Sequence, residues 1–193
     1  MKPQLKSMTK TTLEAHAAGG RIVLRPPSWA DYEAWSDLRA HNESYLIPWE
    51  PEWGPNHLSR ASYKARLARL KKWAANEQAY AFHVFRADSD TLIGACNVTH
   101  IERGAAGSAK LGYWIGEQFA RNGFARAAVG RVSEFCFEKL GLHRLEAAVQ
   151  EDNEASIKVL EAMGYVYEGK ARGLLKIKGQ WRDHLIYGKL SSD

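Results

Sequence analysis

The segment from residue 108 to residue 150 narrows the choice of fold more than any other. Ser108 to Gly116 reads as a strand and Arg144 to Gln150 as a second one; between them Phe124, Ala125, Ala128, Val129, Val132, Phe135, Cys136 and Leu140 recur at helical spacing. Gly141 ends that helix, because glycine takes a left-handed C-cap at little cost. A strand, a crossing helix and a strand in one sheet require a parallel pair with a right-handed connection. The runs just upstream demand the opposite pairing. Tyr80 to Ala87 and Leu92 to Ile101 are strand-like, and turn-forming clusters at 88–90 and 103–107 set off each run from the next. They predict an antiparallel meander leading into Ser108, so the sheet is mixed.

All six prolines stand at or before Pro55, which divides the chain into a punctuated front and a regular back. Residues 1–20 read as a loose tail. Arg21 to Arg25 is a short strand closed by Pro26 and Pro27. Ser28 and Asp31 offer an N-cap and a first-turn acid, and Tyr32, Trp35 and Leu38 then share one helical face to about Asn42. Residues 43–57 hold three prolines with Trp49 and Trp53, the composition of a rigid aromatic loop. Tyr63, Leu67, Leu70 and Ala74 predict a helix from Ser59 to Glu77. Its Arg60, Lys64, Arg66, Arg69, Lys71 and Lys72 form either a solvated charged face or an electrostatic guide for a polyanion. Past residue 150, Asp152 or Asn153 starts a helix through Ile157, Leu160 and Met163 that stops at Gly164, and strands follow near Tyr165 to Gly173 and Trp181 to Leu190. The expected architecture is α+β: a mixed, mostly antiparallel central sheet of about seven strands flanked by about four helices, in one domain over residues 21–190.

With 45% hydrophobic and 25% charged residues the chain is globular rather than disordered. It has no apolar run long enough to span a bilayer, and its first residues lack the apolar core of a signal peptide, so a cytoplasmic protein with no membrane partner is expected. A net charge of +5 favours an acidic ligand, a phosphate-bearing cofactor or a nucleic-acid-rich neighbour without choosing among them. Cys96 and Cys136 fall inside a strand and a helix and read as reduced core thiols. The seven histidines show no metal-ligand spacing, and no metal is expected.

The chemistry concentrates in the passage from strand to helix at residues 112–126. Gly123 and Ala125, just before the long helix, allow consecutive backbone N–H groups to approach a phosphate at the positive helix end, with Arg121 and Arg126 as cationic contacts. The alternative is an ordinary helix N-terminus with solvated arginines. Asn153 reads as a helix N-cap, and Ser156 as either a first-turn serine bonded to the backbone or a functional hydroxyl.

The loop Arg121, Asn122, Gly123, Phe124, Ala125 resembles that of the GNAT acyl-CoA N-acyltransferases, with Ala120 standing where that family carries Arg or Gln. Leu145 to Gln150, Asp152 to Ser156, Leu160 to Tyr165 and Glu168–Gly169 resemble the family's second half in order and spacing. Pro48–Trp49–Glu50–Pro51 and Gly179–Gln180–Trp181–Arg182–Asp183–His184 look like the RimJ-type ribosomal-protein-alanine N-acetyltransferases. The resemblance implies acetyl-CoA as co-substrate, lying where the parallel strands splay. The backbone about Trp114 and Ile115 would pair with the pantetheine, and amides of about Asn122 to Arg126 would hold the pyrophosphate. It implies direct amine attack on the thioester. Leu160 occupies the place of the tyrosine that many family members use as the acid. Ser156 matches the serine of the RimL-like branch and becomes the acid or thiolate stabiliser, with Asn153 orienting it or the pantetheine. Glu50, Glu102, Glu117 and His100 are candidate bases. Trp49, Trp53, Trp181 and Asp183, with His184, are candidates for binding the acceptor. The implied acceptor is the N-terminal alanine of a ribosomal protein. A small amine, an antibiotic or a lysine is the alternative within the fold, and an RNA-binding or ribosome-assembly factor on this scaffold is the alternative outside it.

Overall fold

The parallel pair is present, and it is short. In the computed structural model, which describes residues 11–193, only Ser108, Ala109 and Lys110 pair with Arg144, Leu145 and Glu146. The strands are β1 (Leu13–Ala17), β2 (Gly20–Arg25), β3 (Tyr80–Arg86), β4 (Leu92–Glu102), β5 (Ser108–Ile115), β6 (Arg144–Val149), β7 (Val166–Ile177) and β8 (Gln180–Leu190). They form one eight-stranded sheet in the order β1-β2-β3-β4-β5-β6-β8-β7, antiparallel at every junction except β5–β6. The helices are α1 (Tyr32–His41), the single turn α2 (Glu43–Leu46), α3 (Arg60–Ala75), α4 (Phe124–Glu134), which runs on as a π-turn over Phe135–Lys139, and α5 (Glu154–Ala162). None of them is long and apolar enough to cross a membrane.

The apolar periodicity explains the layers. Ala128, Val129, Val132 and Phe135 of the crossing helix are buried against Phe82, Val98, Leu111 and Leu145 of the sheet, and Leu160 of α5 closes the same cluster. Burial of each of the valine, leucine and phenylalanine side chains contributes roughly 1.5–3 kcal/mol. Trp35, Leu38 and Tyr63, from α1 and α3, form a smaller cluster with Phe85 and Leu92. Both cysteines are buried and unbridged, and burial pushes both thiols up.

The loose tail expected over residues 1–20 is corrected where the chain is described; residues 1–10 lie outside the described residues. Leu13–Ala17 is the edge strand, registered from Leu13↔Leu24 to Ala17↔Gly20, and Leu13 is buried in the core. The alanine-rich run has weak strand propensity, so only the free edge of β2 makes it a strand.

Candidate functional site

Beyond Lys110 and Glu146 the two strands part. β5 stays paired with β4 up to Ile115, and β6 stays paired with β8 up to Val149, but the two no longer pair with each other. The facing backbone groups of Leu111–Ile115 and Ala147–Val149 therefore line a V-shaped opening through the sheet. Backbone donors and acceptors left without strand partners are open to an extended ligand that adds its own amides.

A cavity of about 1390 Å³ fills the opening and extends to the start of α4. There the chain turns sharply: Arg121 has φ 62° and Gly123, the N-cap, φ 77°. A β-carbon on Gly123 would stand 3.2 Å from the Ala18 nitrogen, tighter than ordinary contact. The first intrahelical bond runs from Ala127 N–H to the Gly123 carbonyl, so the amides just before it have no intrahelical acceptor. Arg121, Gly123, Phe124, Ala125 and Arg126 all line the cavity at this end. The Asn122 side chain instead donates to the Ala120 carbonyl at 2.9 Å and locks the turn, while the Asn122 backbone carbonyl accepts the Gly19 N–H at 2.8 Å. The turn between β1 and β2 thus braces the loop before α4.

Asn153, Ser156, Trp114 and Ile115 also line the cavity. Asn153 caps α5, its Oδ1 accepting the Ser156 N–H at 3.1 Å. The Ser156 hydroxyl lies 2.8 Å from the Tyr113 hydroxyl, which is also 3.1 Å from the Ser156 carbonyl oxygen. Leu160, in the tyrosine's place, is core and 1% exposed.

Trp49, Glu50, Tyr45 and Leu175 line the cavity, and so does the buried His184. Two contacts draw the proline-rich loop to this rim: Gln150 Nε2 donates to the Pro48 carbonyl at 2.8 Å, and Pro51 forms a bridge with Ile177. Glu50 is held by the Arg39 guanidinium at 3.1 Å and by Trp53 Nε1 at 2.8 Å. Arg39 in turn stacks 4.1 Å from the Trp53 ring and 5.2 Å from Trp114. Glu117 also reaches the lining, held at its N–H by Asn42 Oδ1 at 2.7 Å.

Several sequence-predicted residues are elsewhere. Glu102 ends β4 opposite Ser108, at the closed end of the parallel pair, and is exposed. Antiparallel pairing carries β4 away from the opening as β5 runs toward it, so neither Glu102 nor its neighbour His100 reaches the cavity. Trp53 lies behind Glu50, stacked on His57 at 4.8 Å, and supports the rim without lining it. Trp181 is 68% exposed and paired with Lys176, outside the lining. Asp183 is also outside: it accepts the Gly173 N–H at 2.8 Å and lies 3.7 Å from Lys170. Alternation along β8 sends His184 inward and its neighbour Asp183 outward. Arg66, in the basic row of α3, packs over the Trp35 ring at 5.5 Å, and burial pushes its pKa down.

Tyr113, Arg39 and Asn97 enter the site without a sequence signal strong enough to single them out. Asn97 lines the cavity with its Oδ1 buried and, among the described residues, unpartnered.

Comparison with known proteins agrees with this geometry. A family model for the acetyltransferase (GNAT) domain matches residues 21–166. The probable N-acetyltransferase YjcK of Bacillus subtilis (strain 168) is 31% identical over 175 residues, 91% of this chain and 97% of that protein. The ribosomal protein uS5-alanine N-acetyltransferase of Escherichia coli (strain K12) is 30% identical over 165 residues, 84% of this chain and 85% of the relative. Among solved structures, Mycobacterium smegmatis RimJ in complex with CoA-disulfide superposes with a TM-score of 0.89 at 29% identity, covering 95% of this chain and 88% of that one. A splayed parallel pair with a glycine-turned helix entry, a family model spanning most of the chain and relatives of this coverage lead to one conclusion: the chain belongs to the GNAT acetyltransferase family.

Proposed function

We propose that this acetyltransferase moves an acetyl group from acetyl-CoA to the N-terminal α-amine, an alanine, of a ribosomal protein, by direct amine attack. The observation that carries the reading is the single cavity through the parted strands whose lining joins the Gly123 turn, Ser156 and Glu50. The amides from Gly123 to Arg126 and the side chains of Arg121 and Arg126 suit a diphosphate. The unpaired backbone at Trp114 and Ile115 suits the amides of the pantetheine arm.

In the reaction the amine lone pair attacks the thioester carbonyl, the C–S bond breaks, and its electron pair ends on sulfur. The amine's surplus proton passes to Glu50 or to water. An aliphatic hydroxyl is a far weaker acid than a thiol, so Ser156 stabilises the departing thiolate by donating a hydrogen bond rather than surrendering its proton. An α-amine, with a reference pKa of about 7.7–8.0 against about 10.4 for lysine, is easier to deprotonate by roughly 3.5 kcal/mol, so a modest base suffices. Neither cysteine takes part: both are buried thiols away from the cavity lining. The name of the Escherichia coli relative supports the alanine acceptor, and the basic charge of the chain suits an acceptor surrounded by RNA.

Acetyl-CoA turnover across peptides beginning with Ala, Ser or Met, with blocked N-termini and free lysines as controls, tests the assignment. Turnover is expected with free α-amines, best with Ala, and lost on blocking. Turnover confined to lysine side chains or to small amines overturns the acceptor.

A further inference from the structure

We propose that Tyr113 is a positioning residue that aims the Ser156 hydroxyl proton at the departing sulfur. The inference rests on the thiolate-stabilising role just given to Ser156. Tyr113 lies on β5 where the strands part, and its ring packs against the main core, so its hydroxyl is delivered from a rigid element. That hydroxyl has one proton and two acceptors within reach: Ser156 Oγ at 2.8 Å and the Ser156 carbonyl at 3.1 Å.

The two choices have opposite consequences. When Tyr113 donates to the carbonyl, the Ser156 proton has the Tyr113 oxygen as its acceptor and turns away from the cavity. When Tyr113 donates to Oγ, its proton fills the contact between the two oxygens, and the Ser156 proton is free to face the cavity. A thiolate forming beside Ser156 favours the second arrangement, because a hydrogen bond to a charged acceptor is roughly twice as strong as one between neutral groups. Burial pushes the Tyr113 pKa well up, so the phenol keeps its proton and acts as a donor throughout. No proton leaves either residue in this scheme. A first-turn serine without such a partner ordinarily turns its proton onto a nearby backbone oxygen. Tyr113 supplies the bias against that.

The test is a double-mutant cycle with full kinetics. Tyr113→Phe removes one oxygen and is expected to lower kcat by about threefold to about tenfold, one hydrogen bond's worth, with the acetyl-CoA KM within about twofold. In a Ser156→Ala background the same substitution is expected to cost nothing further. Full kcat in Tyr113→Phe beside slow Ser156→Ala overturns the positioning role alone. An equal loss in both backgrounds also overturns it, because Tyr113 then acts independently of the hydroxyl. Full turnover by Ser156→Ala refutes the underlying role of Ser156, and this inference with it. Should Tyr113→Phe unfold, 3-fluorotyrosine placed at 113 alone keeps the packing and strengthens the donor: kcat at or above that of the unmodified protein is expected, and a severalfold loss refutes the proposal.

Discussion

At the scale of single residues, the site depends on backbone conformations that side chains would spoil. Gly123 sits at φ 77° with Ala18 directly behind it. A β-branched residue is strained in that region, and its β-carbon would press on the Ala18 backbone and displace the turn. Gly123→Val is therefore expected to weaken acetyl-CoA binding more than tenfold by calorimetry; an unchanged affinity would take the turn out of the site. Gly123 and Ala125 were legible in the sequence because small residues before an amphipathic helix have a physical meaning of their own. Glu102 and Glu50 were not separable that way. Both are carboxylates near turns, and only the antiparallel run of β4 against β5 puts Glu102 at the closed end while Gln150 and Ile177 draw the Glu50 loop to the open one.

At the scale of elements, the strand β1 and its turn are the part of the site that periodicity hides. Gly19 donates to the Asn122 carbonyl, and a β-carbon there would stand 2.7 Å from Asn122 Cβ and 2.7 Å from the Phe124 ring. Its backbone has no positive φ to strain an alanine, so the effect of a methyl group is purely one of space. Gly19→Ala is expected to push the β1–β2 turn off the loop and raise the acetyl-CoA KM severalfold, leaving kcat at saturation nearly intact. If KM is unmoved, the turn is a bystander. The long elements were readable from pattern alone: the meander, the crossing helix, and α5 with its Asn153 cap are where the apolar spacing put them. The edge strand was not, because five residues, two of them alanine, carry no alternation strong enough to compete with a loop.

At the scale of the whole molecule, one buried ionic cluster ties the first helix to the sheet. Asp31 accepts from Arg25 at 2.9 and 2.7 Å, from the Ser28 N–H at 2.8 Å, and lies 3.2 Å from Nδ1 of the fully buried His83. Burial alone would raise the Asp31 pKa, but the hydrogen bonds from His83, Arg25 and Ser28 outweigh it and hold the carboxyl far below the usual range. Burial pushes the His83 pKa below its ordinary 6.5, against the pull of Asp31. Both shifts have the same sign in folding. Each group binds its proton more readily in the unfolded chain, so the stability from His83 is full above 6.5 and declines as the pH falls below it; that from Asp31 declines below 3.8. The melting temperature is expected to fall from pH 7 to pH 5 and again below pH 4, and His83→Gln should flatten the first decline. A melting temperature independent of pH across 7 to 5 would contradict this.

By itself the sequence determined what local spacing and covalent constraint can determine: where the long strands and helices run, that one pair must be parallel, where the helix caps lie, and that a glycine turn at Gly123 enters the crossing helix. These follow from periodicities of two and 3.6 and from glycine's freedom, which act within a few residues. Tertiary structure alone decided that the parallel pair parts after three residues, that Tyr113 meets Ser156 across 43 positions, and which acids reach the cavity. Such contacts join residues far apart in the chain, and their geometry is set by packing of whole layers, which no local pattern encodes.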